Sequence, residues 1–94
     1  MDKTALITGG TSGIGKATAF LFAEHGINII ICGRRKERLE EIQKALNEKV
    51  KVHILCFDIR DKHAVHNAIN TLPEGFSKVD ILINNAGNAH GLEP

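Results

Sequence analysis

Four short apolar segments alternate along the chain with three segments whose apolar residues recur at helical spacing. The apolar segments are 4–8, 27–32, 50–57 and 79–83, and they have the length of strands. Helical spacing runs over 13–25, over 35–46 and from Asp61 to Leu72. Regular alternation of strand and helix is typical of a parallel sheet with right-handed crossovers. We therefore predict an α/β fold, a doubly wound parallel sheet in the order β-α-β-α-β-α-β.

Residues at the segment ends support this division. Gly26 suits the left-handed position just after a first helix, and Asp61 suits the N-cap of a third helix. Pro73 is expected to stop that third helix. Its apolar side is predicted to consist of Ala64, Val65, Ala68, Ile69 and Leu72.

The composition is that of one ordinary soluble domain. Of the 94 residues, 43% are apolar and 24% are charged, and 12 Lys and Arg against 11 Asp and Glu leave a net charge of +1. This balance predicts no basic surface for nucleic acid. No apolar run approaches the roughly 18 to 20 residues of a membrane span, and the N-terminal residues show no signal-peptide pattern. We expect a cytoplasmic location with no membrane partner.

The cysteines and histidines do not form a ligand pattern. Cys32 and Cys56 each lie at the end of an apolar segment, so we predict that both are reduced, buried thiols. His63 and His66 are three residues apart on the third predicted helix, which favours a solvated helix face over a metal site.

A glycine-rich turn joins the first strand to the first helix. Its glycines, Gly9, Gly13 and Gly15, have the spacing G-x-x-x-G-x-G. Backbone N–H groups and the dipole at a helix start favour a diphosphate, and glycine lets it approach closely. The spacing differs from the G-x-G-x-x-G fingerprint. It is not a P-loop either, because Ala17 rather than Ser or Thr follows Lys16. The alternative, that the glycines only allow a tight turn and close helix packing, stays open.

Two arginines follow the second strand. Dinucleotide-binding sheets that take NAD place an acidic residue there, whereas this chain has Gly33, Arg34 and Arg35. Guanidinium groups pair well with a phosphate, which favours NADP with its ribose 2′-phosphate. Alternatively, the two arginines belong only to the charged start of the second helix.

Three motifs resemble the short-chain dehydrogenase/reductase family. Residues 8–15 are similar to its T-G-x-x-x-G-I-G loop, residues 80–87 to its D-x-L-x-N-N-A-G strand, and Asp58-Ile59 to its acidic pair after the third strand. The resemblance covers about residues 3–94 and implies a Rossmann fold and NADP-dependent hydride transfer between a hydroxyl and a carbonyl. More narrowly, 33–39, Leu72-Pro73 and 91–94 resemble NADP-dependent 3-hydroxy acid dehydrogenases of the serine or threonine type.

The resemblance also implies where the cofactor binds. The Asp58 carboxylate would meet the adenine, although it has the alternative role of a plain strand-end cap. Residues 85–87 would line the adenine ribose and the approach to the nicotinamide. The predicted cofactor-binding residues are Gly9, Gly10, Thr11, Ser12, Gly13, Ile14, Gly15, Arg34, Arg35, Asp58, Ile59, Asn85, Ala86 and Gly87.

The family's catalytic groups have no counterpart in this sequence. Members use a tyrosine as general acid/base, a lysine four residues later and a serine, whereas this sequence contains no tyrosine. We therefore assign no catalytic residue. Residues 1–94 are expected to be the NADP-binding N-terminal part of a single Rossmann domain and to be inactive alone. The full-length protein is expected to be a homo-oligomer that acts on a small alcohol or carbonyl compound. The alternatives are a non-catalytic NADP(H)-binding module and a scaffold with a vestigial glycine loop.

Overall fold

The computed structural model describes residues 3–10, 13–58, 60–76 and 78–84. The elements in these residues alternate as the sequence predicts. No helix in this part of the chain is long and apolar enough to cross a membrane. In chain order the elements are β1 (Thr4–Thr8), α1 (Gly13–Glu24), β2 (Asn28–Gly33), α2 (Lys36–Leu46), β3 (Val52–Cys56), α3 (Lys62–Asn70) and β4 (Ile81–Asn84).

Within the described residues the strands form one parallel sheet in the order β3-β2-β1-β4. In its register Leu6 lies between Ile30 of β2 and Leu82 of β4. Because all four strands are parallel, their carboxyl ends lie at the same edge, which we call the carboxyl edge. The chain builds outward from β1 to β2 and β3 on one side and then returns to place β4 on the other. In doubly wound sheets the ligand crevice lies at such a switch point, beyond the carboxyl ends of the two strands, which here are β1 and β4. The predicted doubly wound parallel fold is confirmed.

Alternate residues of the strands pack on opposite faces of the sheet. One face carries the larger core, to which α1 contributes Ala19 and Ala23 and α2 contributes Leu39, Ile42 and Leu46. On the other face Leu6, Ile30 and Cys32 are buried. They are covered by half-buried side chains, namely Leu55, Phe57, Leu72, Phe76 and Val79.

Helix α3 begins as predicted but ends early. Both His63 and Ala64 donate their backbone N–H to the Asp61 carboxylate, at 3.0 and 3.1 Å, which confirms the N-cap. The helix ends at Asn70 rather than reaching Leu72, because a residue before proline disfavours the helical conformation. Described residues of α3 include none that is fully buried, and its Ile69 is 45% exposed.

Strand β4 starts two residues later than the predicted segment 79–83. Before the strand begins, Asp80 makes two hydrogen bonds with the backbone of Thr4: its carboxylate accepts from the Thr4 N–H at 3.0 Å, and its own N–H donates to the Thr4 carbonyl at 2.9 Å. In the described residues β4 pairs with β1 alone. Its Leu82 is 62% exposed.

The prediction of two buried thiols holds for only one cysteine. Cys32 on the central strand β2 is 2% exposed, and burial raises its pKa to about 12. Cys56 is exposed, so the prediction is wrong there. It is the last residue of β3, which borders the sheet, and its partner in the register is Gly33, which has no side chain to cover it.

Candidate functional site

The glycine loop after β1 lies at the carboxyl edge, against the end of β2. The Gly10 N–H donates to the Cys32 carbonyl at 3.0 Å, and a Cβ at Gly10 would collide with the side chain of Ile31. Gly9 has a φ of 64°, in the left-handed region where glycine is favoured. The turn itself therefore requires both glycines.

The two glycines at the start of α1 differ from each other. Gly15 is buried, and a Cβ there would overlap the carbonyl group of Gly9. Gly13, the first residue of α1, is exposed, and a Cβ there would meet none of the described residues within 4 Å. The purely structural alternative therefore accounts for Gly9, Gly10 and Gly15. It gives no reason for glycine at position 13.

The start of α1 presents positive electrostatic potential to the crevice. The first turn contains no acidic side chain, so the partial positive charge of the helix N-terminus is not neutralised locally. Ile14 in the same turn is 70% exposed. An anion with an adjoining apolar part matches this combination of surfaces.

Arg34 and Arg35 follow β2 at the same edge, and both are exposed. Arg35 takes the N-cap position of α2 in extended backbone conformation, with no side-chain capping hydrogen bond. Arg34 precedes the helix, and its carbonyl accepts a hydrogen bond from the Cys56 thiol at 3.5 Å. Among the described residues neither guanidinium forms a salt bridge. The helix start accounts for the position of Arg35 but not for that of Arg34.

Asp58, just beyond β3, is held by a residue that the sequence reasoning missed. The Arg60 Nη2 lies 2.8 Å from Asp58 Oδ2, and Arg60 Nε lies 3.1 Å from Oδ1. The Arg60 backbone N–H also donates to Oδ1 at 2.9 Å. These hydrogen bonds, with smaller contributions from the charges of Arg60 and Arg34, lower the pKa of Asp58 to about 2. The carboxylate thus stabilises the local turn, as the cap alternative expects, and stays ionised. The signal was the acid–x–arginine spacing of the two residues.

A side-chain hydrogen bond links the ends of β1 and β4 across the crevice. The Thr8 hydroxyl donates to Asn84 Oδ1 at 2.9 Å and lies 3.4 Å from the Ile83 carbonyl. Both side chains belong to motifs quoted above, but neither was predicted as a site residue. Their contact fixes the carboxyl end of β1 relative to the carboxyl end of β4.

The carboxyl edge therefore brings together the described part of the predicted site. Gly9, Gly10, Gly13, Ile14 and Gly15 lie beside the crevice between β1 and β4, while Arg34, Arg35 and Asp58 follow β2 and β3. His63 and His66 are exposed on α3, and the described residues hold no cluster of three metal-ligating side chains. Six predicted residues lie outside the described part of the chain: Thr11, Ser12, Ile59, Asn85, Ala86 and Gly87.

Comparison with known proteins identifies the class. The sequence profile of the short chain dehydrogenase family matches residues 3–93. The chain belongs to this family, which confirms the resemblance drawn from its motifs.

Two curated relatives match the whole chain. It is 47% identical over 94 residues to sulfoacetaldehyde reductase 2 of Chromohalobacter salexigens and 48% identical over 94 residues to serine 3-dehydrogenase of Agrobacterium fabrum. In both cases the chain spans 37% of the relative's length. The fold is also similar to the closed form of serine dehydrogenase complexed with NADP+, at 33% identity and a TM-score of 0.74, over 84% of this chain and 31% of that one.

Proposed function

We propose that this chain binds NADP(H) at the carboxyl edge and forms the cofactor-binding part of an oxidoreductase that interconverts a hydroxyl and a carbonyl group. The open space at Gly13 is the observation that carries the proposal, because none of the described residues makes glycine necessary there. A diphosphate at the start of α1 gives that glycine a purpose. The NADP+ complex of the similar serine dehydrogenase supports the choice of cofactor.

Each part of the cofactor would have its own residues. Residues 9–15 would hold the pyrophosphate, and Arg34 and Arg35 would hold the 2′-phosphate. Exposed guanidiniums with no carboxylate partner among the described residues suit a phosphate, since planar forks can bind it through two parallel hydrogen bonds. Asp58 and Ile59 would meet the adenine, and residues 85–87 would line the ribose and the approach to the nicotinamide.

Bound NADPH would supply the hydride, and the residues of this chain would orient it. Backbone N–H groups at the start of α1 would fix the pyrophosphate, and the link between Thr8 and Asn84 would hold the two sides of the crevice at a constant separation. No residue of this sequence is proposed to move the proton, because the sequence contains no tyrosine.

The substrate and setting are part of the same proposal. The two relatives are named for different substrates, so we propose a small alcohol or carbonyl compound, with 3-hydroxy acids as the first class to test. A homo-oligomer in the cytoplasm is proposed, and the two free cysteines are compatible with a reducing compartment.

Titration of the full chain with NADPH and NADH tests the cofactor. The wild-type chain should bind NADPH more tightly than NADH. Arg34→Asp should lower the affinity for NADPH by about 100-fold, since it exchanges an attractive charge for a repulsive one beside the phosphate. The affinity for NADH should change by less than about threefold. Lys44→Asp in the last turn of α2 makes the same charge change away from the carboxyl edge and should leave both affinities intact. Equal wild-type affinities for the two cofactors would refute the assignment.

The absence of tyrosine favours one alternative, a non-catalytic module that binds NADP(H). NADPH oxidation by the complete gene product, measured by absorbance in the presence of 3-oxo acids and small aldehydes, separates the two, because the 94 residues alone are expected to be inactive in either case. Turnover supports the oxidoreductase. Tight NADPH binding with no turnover on any carbonyl compound supports the module.

A further inference from the structure

Arg60 holds the Asp58 carboxylate through several hydrogen bonds, although both side chains are exposed. Both carboxylate oxygens accept hydrogen bonds from the guanidinium, with Nη2 to Oδ2 at 2.8 Å and Nε to the two oxygens at 3.1 and 3.3 Å. The side chain of Arg60 is 66% exposed and that of Asp58 is 36% exposed. Exposed pairs contribute little to stability, because water screens them and ordering two side chains costs entropy. Besides stabilising the local turn, the pair therefore fixes where the Asp58 carboxylate lies.

The second cation near Asp58 is Arg34, which competes with Arg60 for the Asp58 carboxylate. Its backbone is tied to the end of β3, since its carbonyl accepts from the Cys56 thiol at 3.5 Å and the preceding carbonyl, of Gly33, accepts from the Phe57 N–H at 2.9 Å. The Arg34 charge is close enough to lower the pKa of Asp58. Yet in the described residues every side-chain hydrogen bond to Asp58 comes from Arg60. With both oxygens engaged, the carboxylate offers Arg34 no free bidentate partner.

We propose that Arg60 is a positioning residue for cofactor specificity: by holding the Asp58 carboxylate it leaves the Arg34 guanidinium free for the 2′-phosphate of NADP(H). The inference rests on the proposed function. Without Arg60, the Asp58 carboxylate attracts the Arg34 guanidinium and also repels the incoming phosphate. Both effects act on the 2′-phosphate and therefore weaken the binding of NADPH much more than that of NADH, which shares with NADPH only the contact between Asp58 and the adenine.

A double-mutant cycle on the full chain tests this inference. Arg60→Gln should weaken NADPH by about tenfold, which corresponds to about 1.4 kcal/mol, and change NADH by less than about threefold. Adding Asp58→Asn removes the competing carboxylate, so Asp58→Asn/Arg60→Gln should bind NADPH within about threefold of the single variant Asp58→Asn. Lys44→Gln is the control for the loss of one positive charge.

Each other outcome rejects the inference for a different reason. If the double variant keeps the whole tenfold loss, Arg60 acts on the phosphate directly and not through Asp58. If Arg60→Gln weakens NADPH and NADH equally, Arg60 only maintains the turn. If wild type shows no preference for NADPH, the proposed function fails first and this inference fails with it. An unchanged NADPH affinity in Arg60→Gln, with wild-type preference intact, rejects the inference alone.

Discussion

The prediction that most directly separates structure from function is a side chain at Gly13. Gly13 is the first residue of α1, and a Cβ there meets nothing within 4 Å in the part of the chain that the structure describes. Gly13→Ala and Gly13→Val therefore fill space that the protein leaves open. If the pyrophosphate occupies that space, both variants should weaken NADPH and NADH alike, because the two cofactors share this group.

The effects on folding and on binding differ in size and in sign. Replacing a helical glycine by alanine is favourable by up to about 1 kcal/mol, so Gly13→Ala should keep or raise the free energy of unfolding. A pyrophosphate pushed away from the helix start loses one charged hydrogen bond or more, each contributing about 1.5–3 kcal/mol. The dissociation constants for both cofactors should then rise by about 10- to 150-fold, and further for Gly13→Val.

Isothermal titration with each cofactor and urea unfolding of the same samples measure both quantities. Gly15→Ala is the matched control, since its Cβ would overlap the Gly9 carbonyl and should lower the free energy of unfolding. Unchanged affinity for both cofactors in a stable Gly13→Val variant would show that the start of α1 is not the pyrophosphate site.

Two further predictions concern the fold. Asp80→Ala should lower the free energy of unfolding by about 1–2 kcal/mol, because the N–H of the buried Thr4 loses its acceptor. Asp80→Asn should cost less, since its amide oxygen still accepts. Equal losses for the two variants in urea unfolding would contradict the hydrogen-bond explanation. Iodoacetamide at pH 8 should modify Cys56 in the native protein and Cys32 only after unfolding, as peptide mass mapping would show. The reason is that Cys32 is 2% exposed and its pKa is raised to about 12. Modification of both cysteines at the same time would contradict this prediction.

Local sequence patterns were enough to predict the element order and most helix limits. The apolar stripe of α2 is an example, since Leu39, Ile42 and Leu46 recur at helical spacing and are all buried. The failures have tertiary causes. Periodicity assigned Leu72 to a helix, but the residue lies outside α3 and packs against the core on the other face of the sheet. The exposure of Cys56 depends on strand order, which a single sequence does not state directly.

The candidate site was predictable as a set of loops but not as a set of contacts. Glycine spacing located the start of α1, whereas only the packed backbone showed that Gly13 differs from its neighbours. Similarly, Asp58 was found by its motif, but its link to Arg60 depends on how the turn after β3 brings the two side chains together. Spacing alone therefore did not show which cation neutralises which carboxylate.

The pairing of β1 with β4 has a consequence for the order of folding. Thr4 pairs with Asn28 of β2 nearby in sequence, whereas the hydrogen bond from Thr4 to Asp80 spans 76 positions. The longer closure adds only about 1 kcal/mol of chain entropy, but contacts between distant segments form late. The crevice exists only after this last strand has joined the sheet. In refolding experiments the affinity for nucleotide should therefore appear after most of the helical circular dichroism signal. It would report the pairing of β4 with β1 rather than the early compaction of the chain.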